Sequence, residues 1–416
     1  MDKQNRTYLI QLLLFVATLI STTLAGAEWM FGRSFIYGPN TMGWDEFFSG
    51  LNFSIPFLLI LTTHELGHYF TARHHKVNVS LPFYLPFWLG FIGSFSIGTM
   101  GAFIRLKERV KSLTKTFDIG LAGPLAGFII ALVVIVYGFT HLPPKDHIYS
   151  IHPEYELFGD DFEDIVYDVD TFFLKTDLAK INPEAASFYE ADTIRMGPSY
   201  QIGIMMGSNL IYDFAKSYIV TSHQKDRIPN PNEIFHYPYL FAGFLALLFT
   251  AINLLPIGQL DGGHVLYGLV GEKKHRIVST TVYIALLIYS GLGTGVFGVF
   301  NPFDLTQEMM DIIIAFVAYA FFLFYLLGKT SLSNQQKLMI SLGIIAFQEI
   351  LLLYAPGIKG YGGWMLFAFV IGRYLGIYHP KSEIEEPLSN NRKILGWIAL
   401  VIFILSFSPQ PLVILD

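Results

Sequence analysis

The chain has 416 residues, 53% hydrophobic and 14% charged, with a mean hydropathy of +0.47, which excludes an ordinary soluble domain and reads as a polytopic membrane protein. A formal net charge of -6, much of it in one loop, argues against a nucleic-acid partner. With no cysteine there is neither disulfide nor thiolate ligand, so His, Asp and Glu are left as candidate metal ligands.

The first apolar run, Tyr8 to Ala27, follows Lys3 and Arg6 and ends in Ala25-Gly26-Ala27, which imitates a signal-peptide cleavage site. Its length of about 20 residues suits a retained first span, since further spans follow. These are Leu51 to Phe70, Phe117 to Phe139, Tyr237 to Leu255, Ile277 to Phe300, Ile312 to Leu327, Leu338 to Tyr354, Trp364 to Ile377 and Ile394 to Phe407. The expected fold class is therefore an all-α polytopic membrane protein with about nine transmembrane helices. Basic residues fall on one side of that count: Lys3 and Arg6, Arg73 and Lys76, Arg105 to Lys115, Lys273 to Arg276, Lys329 and Lys337, then Lys381, Arg392 and Lys393. The positive-inside rule makes that side, and the amino terminus, cytoplasmic. The second and fourth helices then both run from outside to inside.

After the second helix, Leu81 to Ile104 is apolar but broken by Pro82, Pro86, Gly90, Gly93, Gly98 and Gly101. It is too short for two spans and too interrupted for one helix, so a re-entrant or interfacial hairpin is expected, packed beside whatever site the second helix carries. The organisation expected is residues 1–50 as first helix and outer loop, 51–140 as metal-binding helix, hairpin and third helix, 141–236 as an extracytoplasmic acidic loop, 237–276 as the fourth helix, and 277–416 as C-terminal helices of unassigned role. In the loop, Asp160, Asp161, Glu163, Asp164, Asp168 and Asp170 read as a solvated face, and Ser208 to Val220 as an amphipathic helix on the outer surface.

The chemistry centres on His64-Glu65-Leu66-Gly67-His68, at the inner end of the second span. Two histidines four apart on a helix stand one turn apart and about 40° round the axis, so both imidazoles can reach one ion with Glu65 on its flank. Three such residues in an apolar helix are costly to keep there without a function. A catalytic zinc site needs a third protein ligand. His75, seven residues after His68, could supply it, although beside Arg73 and Lys76 it suits a basic cytoplasmic border. Asp261, in Asn253-Leu254-Leu255-Pro256-Ile257-Gly258-Gln259-Leu260-Asp261-Gly262-Gly263-His264, is the better candidate, because parallel helices bring their inner ends to one depth. Asp261 could equally cap a helix beginning at Gly262.

These residues carry a resemblance to the site-2 protease family of intramembrane zinc metalloproteases, in its EGY-type branch. His64 to His68 resembles the family's H-E-x-x-H, and Asn253 to Gly262 its N-x-x-P-x-x-x-x-D-G element. Gly98-Thr99-Met100-Gly101-Ala102-Phe103-Ile104 and Phe117-Asp118-Ile119-Gly120-Leu121-Ala122-Gly123-Pro124 are similar to further segments of that branch. No adaptor domain such as a PDZ module is recognisable. The resemblance implies that His64, His68 and Asp261 bind one zinc ion, that Glu65 activates water, and that Asn253 bonds substrate backbone or the oxyanion. It implies transmembrane protein substrates within the bilayer, cleaved where their helices unwind, with Gly98 and Gly101 admitting the extended substrate to a strand edge. Two other classes remain: an inactive scaffold or chaperone of the same fold, for which a degenerate Glu65 or ligand is expected, and a metal-ion transporter, for which internal repeats are expected. Neither feature is present in the sequence. Smaller expectations are close helix packing at Gly120, Gly123 and Gly127, pairing of Asp118 with a lysine of the preceding loop, a packing or ligand-supporting role for His264, and Gln348 and Glu349 facing the bundle or the outer interface. The oligomeric state is not set by the sequence.

Overall fold

Long apolar runs leave the backbone only itself to bond with in hydrocarbon, and they become helices throughout this computed structural model, which describes residues 3–37, 41–167, 171–187, 191–196, 204–220, 222–294, 309–355 and 357–414. Among the described residues five helices are long and apolar enough to cross a membrane: Gln4–Phe31, Trp44–His74, Leu113–Thr140, Met310–Lys329 and Asn334–Tyr354. Pro238–Leu254 and Gly363–Leu375 are shorter apolar helices. The protein is thus a polytopic helical membrane protein. Of the expected span Ile277 to Phe300, residues 277–292 form the end of a longer helix, Asp261–Leu292, which Gly271 (φ 77°, ψ 174°) breaks; residues 295–300 lie outside those described.

Two packing units divide the chain, Met1–Arg109 with Leu125–Thr250 and Leu405–Asp416, and Val110–Pro124 with Ala251–Ile404. In the first, α1 (Lys3–Phe31) lies against α3 (Leu51–His74), which follows the short α2 (Trp44–Ser49). The Thr22 and Ser54 hydroxyls meet at 2.6 Å between them, and Phe53 stacks on Phe57 and Phe241 to fill the core.

The broken segment after α3 is a two-stranded antiparallel hairpin, β1 (Phe83–Phe87) and β2 (Gly98–Phe103). Phe83 lies opposite Phe103 and Phe87 opposite Gly98, with a register shift between Tyr84 and Pro86. Met100 and Gly101 together oppose Leu85, a β-bulge whose glycine takes φ +102°. Thr99 Oγ1 donates to the Leu85 carbonyl at 2.8 Å and occupies the acceptor the bulge leaves over. The hairpin is fixed to α1: Gln11 donates to the Leu81 carbonyl (2.6 Å), Ser21 to the Gly98 carbonyl (2.6 Å) and the Trp29 indole to the Ser96 carbonyl (2.8 Å).

Segment 141–236 has packing of its own beside the acidic run. Ile148, Tyr155, Phe162, Val166, Leu178, Ala186 and Ile194 form a core of their own. Within the acidic run Asp161 and Asp164 are exposed, but Glu163 is half-buried and accepts from the Asn230 amide at 3.1 Å; Asp168 and Asp170 lie outside the described residues. The amphipathic helix is Leu210–Tyr218, capped by Asn209, whose side chain accepts from the Tyr212 amide. It buries Tyr212 against Phe139 and Phe244 and exposes Leu210, Phe214 and Tyr218 along one stripe. The strand Ile204–Met206 pairs antiparallel with Leu412–Ile414.

In the second unit, Gln348 is fully buried and donates to the Ile288 carbonyl at 2.8 Å, with the Tyr319 hydroxyl at 3.3 Å. The polar residue in the helix Asn334–Tyr354 therefore faces its own bundle. Asp118 takes both prongs of the Arg392 guanidinium, at 2.7 and 2.8 Å. The expectation of a lysine from the adjacent loop missed this partner, which lies 274 residues away in sequence.

Candidate metal centre

The residues Phe53, Phe57, Leu58 and Ile60 bury one side of α3, and continuing the same helix buries His64, Glu65 and His68 at 8%, 6% and 8% exposure. Their burial is a direct consequence of helical spacing on an apolar helix. His64 Nε2 and His68 Nε2 face each other at 3.0 Å, with the rings edge-on. For zinc–nitrogen bonds of about 2.0–2.1 Å, two ligands of a tetrahedron are about 3.4 Å apart, so the pair is spaced for a shared cation. The donor chemistry fits as well: imidazole and carboxylate in a site without thiolates suit zinc.

Two elements of the first unit support this pair. From α4 (Leu113–Thr140), Gly127 lies so close that a Cβ added to it would be 3.1 Å from His64 Cβ and 3.4 Å from its Nδ1. The small-residue spacing on that helix is therefore a close approach to His64, which the sequence signalled only as helix packing. From β1, the buried Tyr84 hydroxyl meets Thr62 Oγ1 at 2.8 Å and lies within electrostatic reach of Glu65. Sequence reasoning missed Tyr84; a tyrosine in an apolar, proline-bearing strand gives no periodic cue.

The hairpin glycines prove to have local reasons. Gly98 (φ +84°) is pressed on α1, where a Cβ would lie 2.4 Å from Thr22 Cα and 2.5 Å from the Ser21 carbonyl oxygen. This close approach is to the protein's own backbone. Gly101 has no atom within 4 Å of its Cβ position and stands open at the bulge. As for His75, α3 ends at His74 and His75 is its C-cap, so the shared helical face invoked for it stops one residue short.

The second unit holds the other candidates. Asn253 is half-buried in the last turn of Pro238–Leu254. The carbonyl of Pro256 beyond it accepts from Ser279 Oγ at 3.0 Å, so that acceptor is already occupied without Asn253. Gly258 sits at φ +59°, and a Cβ there would be 2.1 Å from the Gly376 carbonyl oxygen. Only glycine makes this turn. It leads into Asp261, the first residue of the helix Asp261–Leu292, whose cap position is Leu260 without a side-chain cap bond. Asp261 is thus inside the first turn and not the cap, and its carboxylate stands at the positive end of the helix dipole. His264 Nδ1 meets His379 Nε2 at 2.8 Å and packs on Gly120.

Residues 52–293, more than half of the chain, match the model of peptidase family M50. The chain belongs to that family. The M50 match takes in His64, Glu65, His68, Asn253 and Asp261 and stops before the later helices. Among curated proteins the chain is similar to the probable zinc metalloprotease EGY1, chloroplastic, of Oryza sativa subsp. japonica, with 26% identity over 309 residues, covering 70% of this chain and 42% of that protein. The EGY1 protein of Arabidopsis thaliana is 24% identical over 293 residues (67% and 43%), and its EGY2 protein 26% over 246 residues (58% and 33%). The chain spans less than half the length of these relatives. No solved structure matches it.

Proposed function

We propose that this M50 protein is an intramembrane zinc metalloendopeptidase that hydrolyses peptide bonds in locally unwound transmembrane segments of other membrane proteins, in a pathway of regulated intramembrane proteolysis. The observation that carries the reading is the buried pair of opposed imidazole Nε2 atoms, 3.0 Å apart, with Glu65 on the same helix.

In this reading His64, His68 and Asp261 hold one zinc ion. The support for Asp261 is its place: a proline break and a glycine-only turn deliver a carboxylate at the head of a helix, within the family match. Zinc, when bound, supplies Lewis acidity to a peptide carbonyl and to water at neutral pH. Glu65 takes the proton from the attacking water and returns it to the leaving amine, a general acid–base role worth about 10²–10⁴-fold in rate. Its burial keeps bulk water from competing for that proton. Tyr84 holds Thr62, three residues before Glu65, from the hairpin side. Asn253 bonds the substrate backbone or the oxyanion.

The substrate helix has to give up backbone hydrogen bonds to expose a carbonyl. A two-stranded sheet beside α3 offers replacements along an edge, and Gly101, with no atom within 4 Å of its Cβ position, is where an extended chain approaches most closely. The hairpin is then re-entrant, and the active site faces the cytoplasmic side. The pairing of Ile204–Met206 with Leu412–Ile414 supports this topology: both strands have to be on one face of the membrane, as an even number of crossings between Phe235 and Leu412 requires. Of the alternatives, a scaffold has no use for an intact Glu65, and no repeat favours a transporter.

The test is cleavage of a membrane-anchored reporter by Glu65→Gln. A loss of at least 10²-fold with zinc content unchanged is expected; full activity in that variant would remove Glu65 from the mechanism. Asp261→Ala should lower zinc content, and unchanged content would move the third ligand elsewhere.

A further inference from the structure

A second cluster of ligating side chains lies entirely within the first unit, in the outer segment. His152 Nε2 and His236 Nε2 face each other at 3.2 Å. Glu233 Oε2 is 3.1 Å from His236 Nε2 and 3.8 Å from His152 Nε2. These three edges bracket the separation of about 3.4 Å that a tetrahedral zinc site imposes on its ligands. Glu233 and His236 are 3% and 5% exposed, far from ordinary for a loop.

The outer atoms of all three groups are held. His236 Nδ1 is 2.5 Å from the Met30 carbonyl, which can only accept, so Nδ1 carries the proton and the lone pair of the neutral ring is on Nε2. His152 Nδ1 is 3.1 Å from Glu154 Oε1, and the same tautomer follows. The second oxygen of Glu233, Oε1, accepts from the Tyr155 and Tyr167 hydroxyls. Each ligating atom is thereby turned inward by a partner behind it, the arrangement that orients ligands around a metal.

We propose that His152, Glu233 and His236 bind a divalent transition-metal cation, zinc by its donor set, separate from the His64–His68 site. The ion fastens the start of the outer segment to its end, across 84 residues, and through the Met30 carbonyl to the end of α1. The other occupant of such a cluster is a proton shared between the rings, and experiment separates the two.

The full chain is purified in detergent and its metal content measured by mass spectrometry. Wild type is expected to hold about two zinc equivalents per chain and the double variant His64→Ala/His68→Ala about one. Adding His236→Ala brings it to none. Cobalt loaded into the double variant should show visible ligand-field absorption of a tetrahedral site, absent from the triple variant. Should the triple variant fold poorly, Glu233→Gln alone, which keeps an oxygen for the tyrosines, should lower wild-type content by one equivalent. A folded double variant that binds neither zinc nor cobalt at micromolar free metal would overturn the proposal in favour of the shared proton. Failure of the protease reading registers separately, as a wild type that holds metal and does not cleave.

Discussion

Gly127→Ala puts the close approach of α4 to His64 on α3, and with it the proposed zinc site, to the test. The new methyl carbon would stand 3.1 Å from His64 Cβ, against about 3.5–4.0 Å for relaxed carbon contacts, so His64 has to move by about half an ångström. Metal–ligand distances hold to about 0.2 Å, so a shift of that size weakens the site; a tenfold loss of zinc affinity, about 1.4 kcal/mol, is the expected scale. The substitution acts in the opposite sense on the helix, since alanine stabilises a helix interior by about 0.8–1.0 kcal/mol over glycine. A fall in activity with unchanged or raised thermal stability therefore isolates the metal site. The assay is reporter cleavage after chelation, titrated with zinc, the midpoint reading the affinity of the catalytic site alone. Gly343→Ala, with no atom within 4 Å of its Cβ position, is the control and should leave the midpoint in place. A wild-type midpoint for Gly127→Ala would show that α4 gives way without disturbing His64, and the argument would fail.

Arg392→Lys keeps the charge opposite Asp118 but not the two-pronged geometry, and about 1–2 kcal/mol of stability should be lost in thermal unfolding; an unchanged midpoint would make the pair ornamental. Gly258→Ala should fail to accumulate as folded protein, because its positive φ disfavours a side chain and the added Cβ would lie 2.1 Å from the Gly376 carbonyl oxygen; normal expression would contradict the turn. Val413→Pro removes the ladder bond opposite Met205 and should open segment 141–236 to limited proteolysis while leaving the helices protected, with an unchanged digest counting against the pairing.

The helices and the first pair of candidate ligands were legible because each rests on a local period. His64 and His68 are four apart, and apolar runs of membrane length announce themselves whatever their neighbours. Contacts that depend on distant partners left no such trace. Asp118 finds Arg392, and Gly98 is required by Thr22, a residue four elements earlier in the chain. His152 and His236 are 84 residues apart and sit in a segment whose charge suggested only solvation. Glu233 and His236, three apart just before Pro238, are a faint cue of the same kind as the H-E-x-x-H element, visible once one asks why a polar turn precedes an apolar helix. Asp261 occupies a middle position, since the glycines and proline around it mark a forced turn and its place at the helix head follows from that turn.

The strand pair Ile204–Met206 with Leu412–Ile414 also sets a timetable. At translation rates of about 5–20 residues per second, roughly 10–40 s pass between emergence of the first strand and synthesis of its mate. Throughout that interval the segment carrying the first strand presents an open edge to chaperones, proteases and wrong pairing partners. That sheet therefore closes long after the helix carrying His64 and His68 has been made, and quality control of the nascent chain has a defined window in which to act.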